Sequence, residues 1–136
     1  MLALGACGPG LVAGLDGSPA MEPGSDCQSC HKADGSGRGQ PWTVAGTLFG
    51  APNAKSNAGL LASYVLVTDA DGYAWTLRTN ESGNFYIAET LKFPLQVEVH
   101  RGDLVMRMSE PVTTGSCNSC HTQPARHAAP GRLFAP

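Results

Sequence analysis

Two copies of one five-residue pattern constrain this chain more than any other feature of its sequence. The first copy is Cys27-Gln28-Ser29-Cys30-His31 and the second is Cys117-Asn118-Ser119-Cys120-His121. Both have the form C-x-x-C-H, the attachment signature of c-type haem. The pattern suits that chemistry because two thiols add across the two vinyl groups of one porphyrin, and the histidine that follows lies beneath the iron.

The pattern predicts two covalently bound haem c groups. The four attachment residues would be Cys27, Cys30, Cys117 and Cys120. The two proximal iron ligands would be His31 and His121, because each directly follows its pair of cysteines.

Two other uses of paired cysteines are weaker alternatives. A four-cysteine zinc site usually separates its two C-x-x-C knuckles by about 15–20 residues, whereas Cys30 and Cys117 lie much farther apart here. Zinc also leaves the two following histidines unexplained. A thiol–disulfide function would need a thioredoxin-like βαβ pattern around the cysteines, and none surrounds them.

The distal iron ligands are predicted from the supply of histidines. The chain has four, so His100 and His127 remain once the two proximal ligands are assigned. His127 lies too close to His121 to reach round to the same iron, so we expect His127 on the first haem and His100 on the second. Met106 and Met108 are the alternatives, because methionine is a common sixth ligand, although core packing also explains both.

The N-terminus suggests export. Leu4-Gly5-Ala6-Cys7 resembles a bacterial lipobox, in which Cys7 is lipidated and becomes the first residue of the mature protein. No Lys or Arg precedes Lys32 and the apolar stretch is short, so residues 1–7 correspond to a truncated lipoprotein signal. A stray thiol in an extended arm is the alternative. Attachment of c-type haem outside the cytoplasm agrees with a periplasmic, outer-membrane-anchored or extracellular location.

Composition changes along the chain and predicts its organisation. Residues 8–41 are rich in Gly and Pro and form an arm that carries the first motif. Residues 42–109 alternate between apolar runs and turn residues, and residues 110–136 form a second, Pro-punctuated arm with the second motif. The fold class is therefore mainly β: a small antiparallel β-sandwich with mostly irregular, haem-bearing arms.

Six strands are predicted in the middle region. Gly46 is a candidate β-bulge in the first of them, and two hairpins close around Asp69–Gly72 and Arg101–Asp103. In the fifth strand His100 shares the polar face with Glu98 and should point away from the core. The predicted strands are Trp42 to Phe49, Leu61 to Thr68, Tyr73 to Thr79, Phe85 to Ala88, Leu95 to His100 and Leu104 to Ser109.

Three short motifs resemble the carboxypeptidase regulatory-like, or transthyretin-like, β-sandwich. They are Val44-Ala45-Gly46-Thr47, the hairpin Tyr64–Gly72 and the step Thr79–Phe85. Together with the two haem motifs, the chain is similar to small dihaem c-type cytochromes of electron-exporting bacteria built on such a sandwich. The resemblance implies a scaffold rather than a catalytic domain.

These observations favour a non-enzymatic electron carrier over two other functions. It would pass electrons from periplasmic or outer-membrane donors to extracellular acceptors, with redox proteins or other cytochromes as partners. One alternative is a haem enzyme or sensor with an open iron for peroxide, nitrite or a gas; another is a homo-oligomer or filament subunit. The net charge of −2 gives no basic field for nucleic acid, and no apolar run approaches the roughly 20 residues of a membrane span, so membrane contact would need the lipid anchor.

Overall fold

The structure is a computed structural model that describes residues 23–29, 31–32, 34, 41–122, 129 and 131–135. Within these ranges the chain forms six strands, one 3₁₀ turn at Cys27–Ser29 and one short helix, α1, at Cys117–Cys120. The strands are β1 Val44–Thr47, β2 Tyr64–Thr68, β3 Ala74–Arg78, β4 Asn84–Ile87, β5 Gln96–Arg101 and β6 Leu104–Arg107. Each falls within or beside a predicted strand.

The strands form two antiparallel sheets. The larger sheet has the order β3-β2-β5-β6, and the smaller pairs β1 with β4. Both predicted hairpins are present, and Asp69 Oδ1 closes the first by accepting hydrogen bonds from the backbone N–H groups of Asp71 and Tyr73. The prediction of a mainly β, antiparallel sandwich is confirmed.

Alternating apolar residues on both sheets form the core. Val65 and Val67 of β2 face inward together with Val97 and Val99 of β5, while the residues between them lie on the outer face. From the smaller sheet, Phe85 is also buried in this core. Burying one face of each sheet is the ordinary way in which two sheets stabilise one another, since a half-buried strand places every second side chain inward.

Gly46 is not a bulge, contrary to expectation. The pairing of β1 with β4 runs without interruption from Val44 opposite Ile87 to Thr47 opposite Asn84. A Cβ atom on Gly46 would instead lie 2.7 Å from Phe85 Cζ and 2.8 Å from Cys117 Cβ. Glycine is required here because the second motif packs closely against β1.

The open edge of β1 is covered by the chain around the second motif. Ala45 forms a parallel bridge with Ser116, and the Ala45 N–H group donates to Gly115 O at 2.9 Å. Farther along, Phe49 forms a second parallel bridge with Phe134. The C-terminal segment thus completes the smaller sheet, although the sequence shows no clear strand there.

Within the described ranges, no helix combines the length and apolar character that would be needed to cross a bilayer.

Candidate functional site

The two C-x-x-C-H motifs lie side by side against β1. The 3₁₀ turn of the first motif and helix α1 of the second both contact this strand. Asn118 Nδ2 in the second motif is 3.9 Å from Cys27 Sγ in the first, although the two residues are 91 positions apart in the sequence. The fold therefore brings two distant motifs to one surface.

The two motifs share the same local hydrogen bonds. In each, the backbone N–H of the histidine donates to the carbonyl oxygen of the first cysteine at 2.9 Å: His31 to Cys27 and His121 to Cys117. In each, the serine hydroxyl donates at 2.7 Å to the carbonyl oxygen of the residue that precedes the first cysteine. Both motifs are therefore single helical turns that hold the histidine one turn after the first cysteine.

Gln28 attaches the first motif to the start of the smaller sheet. Its side-chain amide donates to the carbonyl oxygens of Trp42 and Thr43, each at 2.8 Å. The Trp42 N–H group in turn donates to His31 O at 3.1 Å. These bonds hold the motif beside the residues that lead into β1.

Asn118 attaches the second motif to the same sheet from a buried position. Its Oδ1 accepts from the Thr47 N–H group at 3.1 Å, and its Nδ2 donates to Thr47 Oγ1 at 3.1 Å and to Ser25 O at 2.7 Å. Only 3% of Asn118 is exposed. A buried amide whose donors and acceptor are all engaged fixes its surroundings, because any movement leaves a polar atom unpaired.

Two further bonds hold the chain before the first motif against the second. The Gly24 N–H group donates to Thr47 Oγ1 at 2.8 Å, and Ser116 Oγ hydrogen-bonds to the carboxylate of Asp26. These contacts cover the outer face of the β1–β4 sheet, where Thr47 is fully buried. The segment around the first motif is therefore held by β1 and the second motif together.

The ring of His121 is held by one hydrogen bond and leaves its second nitrogen without a partner in the part of the chain that the structure describes. Its Nδ1 lies 3.1 Å from Gly131 O, and because a carbonyl oxygen only accepts, Nδ1 must carry the proton. Its Nε2 is buried and has no hydrogen-bond partner among the described residues. Burial lowers the pKa of His121, which favours the neutral ring. A neutral imidazole with Nδ1–H held by a carbonyl and a free Nε2 lone pair is the arrangement that metal-ligating histidines use.

His31 lies in a more open, aromatic environment. Its ring centroid is 5.4 Å from that of Trp42, and Trp42 stacks on Tyr86 at 4.3 Å. Tyr86 is 39% exposed, so this row of rings reaches the surface. The flat side chains restrict how the His31 ring can turn.

The described cysteines, Cys27, Cys117 and Cys120, are free thiols, and the pKa values of the first two are raised. Burial, with a smaller contribution from Asp26, raises the pKa of Cys27 to about 11. Burial, with a smaller contribution from Cys27, raises the pKa of Cys117 to about 12. Thiols with a raised pKa stay protonated and are poor nucleophiles, and thiol–disulfide exchange requires the opposite shift. Among the residues that the structure describes, no three His, Cys, Asp or Glu side chains converge as ligands of a metal ion.

His100 lies on β5 of the larger sheet, whereas the motifs lie against β1 of the smaller sheet. It lies on the outer face of the larger sheet, its ring stacked on Tyr64 with centroids 4.5 Å apart. Tyr64 Oη is 3.0 Å from Nδ1, and Glu98 Oε2 is 3.0 Å from Nε2. The direction predicted for the side chain is observed, and both of its ring nitrogens have hydrogen-bond partners.

The two methionines named as alternative ligands differ from one another. Met108 packs against the core, whereas Met106 on β6 is 39% exposed at the edge of the larger sheet. Cys7, Cys30 and His127 lie outside the described residues.

The polar residues inside the motifs were not singled out from the sequence. Both motifs carry an amide and then a serine between their cysteines, Gln28-Ser29 and Asn118-Ser119. Haem attachment does not require particular residues at these two positions, so the repeat of an amide and a serine there is the sequence feature that could have identified them. It marks the residues that set the local turns and attach them to the sheet.

No protein-family model matches the chain, and no curated protein or solved structure matches it either.

Proposed function

We propose that this chain is a dihaem c-type cytochrome that carries electrons. The observation that carries the proposal is the ring of His121, which follows two cysteines and has a buried, unpartnered Nε2 while its Nδ1 proton is held by Gly131 O. A buried side-chain nitrogen without a hydrogen-bond partner is uncommon in folded proteins, and a bound ion is one explanation of it. An iron bound at that nitrogen would be such an ion.

The cysteines and histidines of the motifs have defined roles in this proposal. Cys27 and Cys30 would hold one haem c and Cys117 and Cys120 the other, through thioether bonds. Once bound, each haem supplies an iron that exchanges single electrons between its ferric and ferrous states. The chain contributes the proximal nitrogens of His31 and His121, and Gly131 O keeps the His121 proton on Nδ1.

The distal ligands remain proposals that rest on the supply of side chains. His127 and His100 are the remaining histidines, with Met106 and Met108 as the sulfur alternatives. To bind an iron, His100 would have to release either Tyr64 from Nδ1 or Glu98 from Nε2. One iron is therefore less well supplied with a distal ligand than the histidine count suggests.

The engagement of both His100 ring nitrogens favours a second candidate function. If one iron keeps an open position, the protein could bind peroxide, nitrite or a gas as a haem enzyme or sensor. The two candidates share the same haem attachment and differ only in the sixth ligand of one iron.

The proposed setting is outside the cytoplasm. The lipobox-like segment ending at Cys7 supports export and a lipid anchor, and c-type haem attachment agrees with it. Redox proteins or other cytochromes would be the partners, with a homo-oligomer or filament as one form of assembly. The sandwich, similar to the carboxypeptidase regulatory-like family, would act as the scaffold.

The optical spectrum of the purified, haem-loaded protein tests both candidates. An electron carrier with two closed irons should give low-spin spectra in both oxidation states and should not bind carbon monoxide when reduced. Carbon monoxide bound by one of two haems would favour the enzyme or sensor. A chain isolated under haem-attaching conditions without any haem spectrum would overturn the proposal altogether.

A further inference from the structure

We propose that Asn118 is a positioning residue that couples the two motifs, whereas Gln28, its counterpart, positions the first motif alone. The inference rests on the proposed function, because it concerns two haem sites whose relative position matters for electron exchange. It is carried by hydrogen bonds that involve only this chain.

Both residues occupy the same position in their motifs and have the same chemistry. Each directly follows the first cysteine, and each side-chain amide offers two N–H donors and one acceptor oxygen. Gln28 directs its donors to the carbonyl oxygens of Trp42 and Thr43. Asn118 directs its oxygen and part of its donor capacity to Thr47. A side-chain amide at the same motif position therefore attaches each motif to β1 or to the residues that lead into it.

The two amides differ in what else they contact. Asn118 Nδ2 also donates to Ser25 O, two residues before the first motif, and lies 3.9 Å from Cys27 Sγ. The hydrogen bonds described for Gln28 reach only residues 42 and 43, and none reaches the second motif. Asn118 is thus bonded to both sites and Gln28 to one.

The surroundings of Asn118 strengthen this link. Thr47 Oγ1, which accepts from Asn118, also accepts from the Gly24 N–H group, and Ser116 beside the second motif bonds to Asp26 beside the first. Because Asn118 is buried, its removal would leave the Thr47 N–H group without this acceptor and would break the bond to Ser25 O in a place that water does not readily enter. The segment before Cys27 should then detach from the second motif.

The experiment compares Asn118→Ala, Gln28→Ala and a control in the full-length, haem-loaded protein. Asp69→Ala is the matched control, because Asp69 is also buried and also bonds several backbone N–H groups, but in the distant β2–β3 hairpin. Two quantities are measured: the bisignate circular dichroism of the Soret band, which reports the coupling of two neighbouring haems, and hydrogen exchange at the Gly24 amide.

The expected results separate the two amides. Asn118→Ala should abolish the bisignate signal and speed exchange at Gly24 by roughly tenfold or more. Gln28→Ala should change the absorption of one haem and leave Gly24 protected, and Asp69→Ala should leave both measurements unchanged. If Asn118→Ala fails to fold, Asn118→Asp serves instead, because it keeps the acceptor for the Thr47 N–H group and removes the donor to Ser25 O.

Two outcomes would overturn the inference. In the first, the bisignate signal and the protection of Gly24 both survive in the Asn118 variants. In the second, Gln28→Ala loses both to the same extent as Asn118→Ala. A wild-type chain that carries no haem would overturn the proposed function instead. In that case, exchange at Gly24 would still decide the role of Asn118.

Discussion

The same five-residue pattern occurs in two different environments in this molecule. In the first motif none of the residues Cys27–Ser29 is buried, and His31 rests against Trp42 in a row of rings that reaches the surface. In the second motif Asn118 and His121 are both buried, and Gly131 O fixes the ring of His121. The pattern itself determines the local turn, while the position relative to β1 determines burial, rigidity and access.

This difference implies different behaviour at the two sites. The second motif is packed into the edge of the core, so its ligand geometry should be rigid and its histidine shielded from water. The first is attached to the protein through backbone carbonyls and aromatic faces, so it should open more readily. The following changes test this contrast, in decreasing order of expected effect.

Gly46→Val should disturb the second motif most. The added side chain would meet Phe85 and Cys117 at less than contact distance, and overpacking of this kind costs about 2 to 3 kcal/mol. Urea denaturation measures the loss, and hydrogen exchange should rise more at residues 116–121 than at residues 27–29. Gly72→Ala is the control, since its φ of +88° costs about 1 kcal/mol but no atom lies within 4 Å. Equal losses in the two variants would contradict the close packing of Cys117 on β1.

Trp42→Leu should act on the first motif alone. It removes the stack on Tyr86 and the contact with His31, which together are worth about 1 kcal/mol beyond the buried area. The electron paramagnetic resonance signal of one haem should broaden or shift, because the His31 ring gains freedom to turn. Tyr73→Leu, an exposed aromatic on the far hairpin, is the control. A change in the signals of both haems would contradict the independence of this aromatic row from the second motif.

Arg107→Ala should have a small, pH-dependent effect confined to the larger sheet. The hydrogen bond from Arg107, followed by that from His100, holds the pKa of Glu98 below its ordinary value. A carboxylate with a lowered folded-state pKa stabilises the protein above its ordinary pKa of about 4.3, and this contribution disappears as the pH falls through the lower value. Removing Arg107 should raise the pKa of Glu98, as measured by nuclear magnetic resonance titration of its carboxyl carbon. An unchanged pKa would show that the Arg107 contact is not formed in solution.

His100→Ala should leave the spectra of both haems unchanged. Both ring nitrogens are already held, by Tyr64 and Glu98, so the loss of the ring should affect only the outer face of the larger sheet. Absorption spectra of the oxidised protein before and after the change are sufficient to decide. Conversion of one haem to a high-spin or carbon-monoxide-binding form would establish His100 as a distal ligand after all.

The strands could be predicted because their signals are local. Alternation of Val97 and Val99 with Glu98 and His100 identifies β5, and the turn residues Asp69–Gly72 and Gly102 identify both hairpins. In such segments the face on which a side chain lies follows from the alternation of apolar and polar residues along the sequence.

The arrangement of the site could be predicted only in part. The cysteines and proximal histidines follow from the motif, but the contact of Asn118 with Ser25 joins residues 93 positions apart, and no local pattern encodes it. Gly46 was assigned to a bulge because the sequence does not reveal which segment will pack on a strand. The hydrogen bonds of His100 illustrate the same limit: a count of histidines gives the supply of ligands and not the partners that each already has.

The most direct test of the account is the mass of the protein, produced under haem-attaching conditions, after complete denaturation. Covalent attachment survives unfolding, so the intact chain should carry two haems, and proteolysis should yield one haem-bearing peptide containing Cys27–His31 and another containing Cys117–His121. A chain that carries no haem, or haem on only one of these peptides, would contradict the account of two paired sites on one strand.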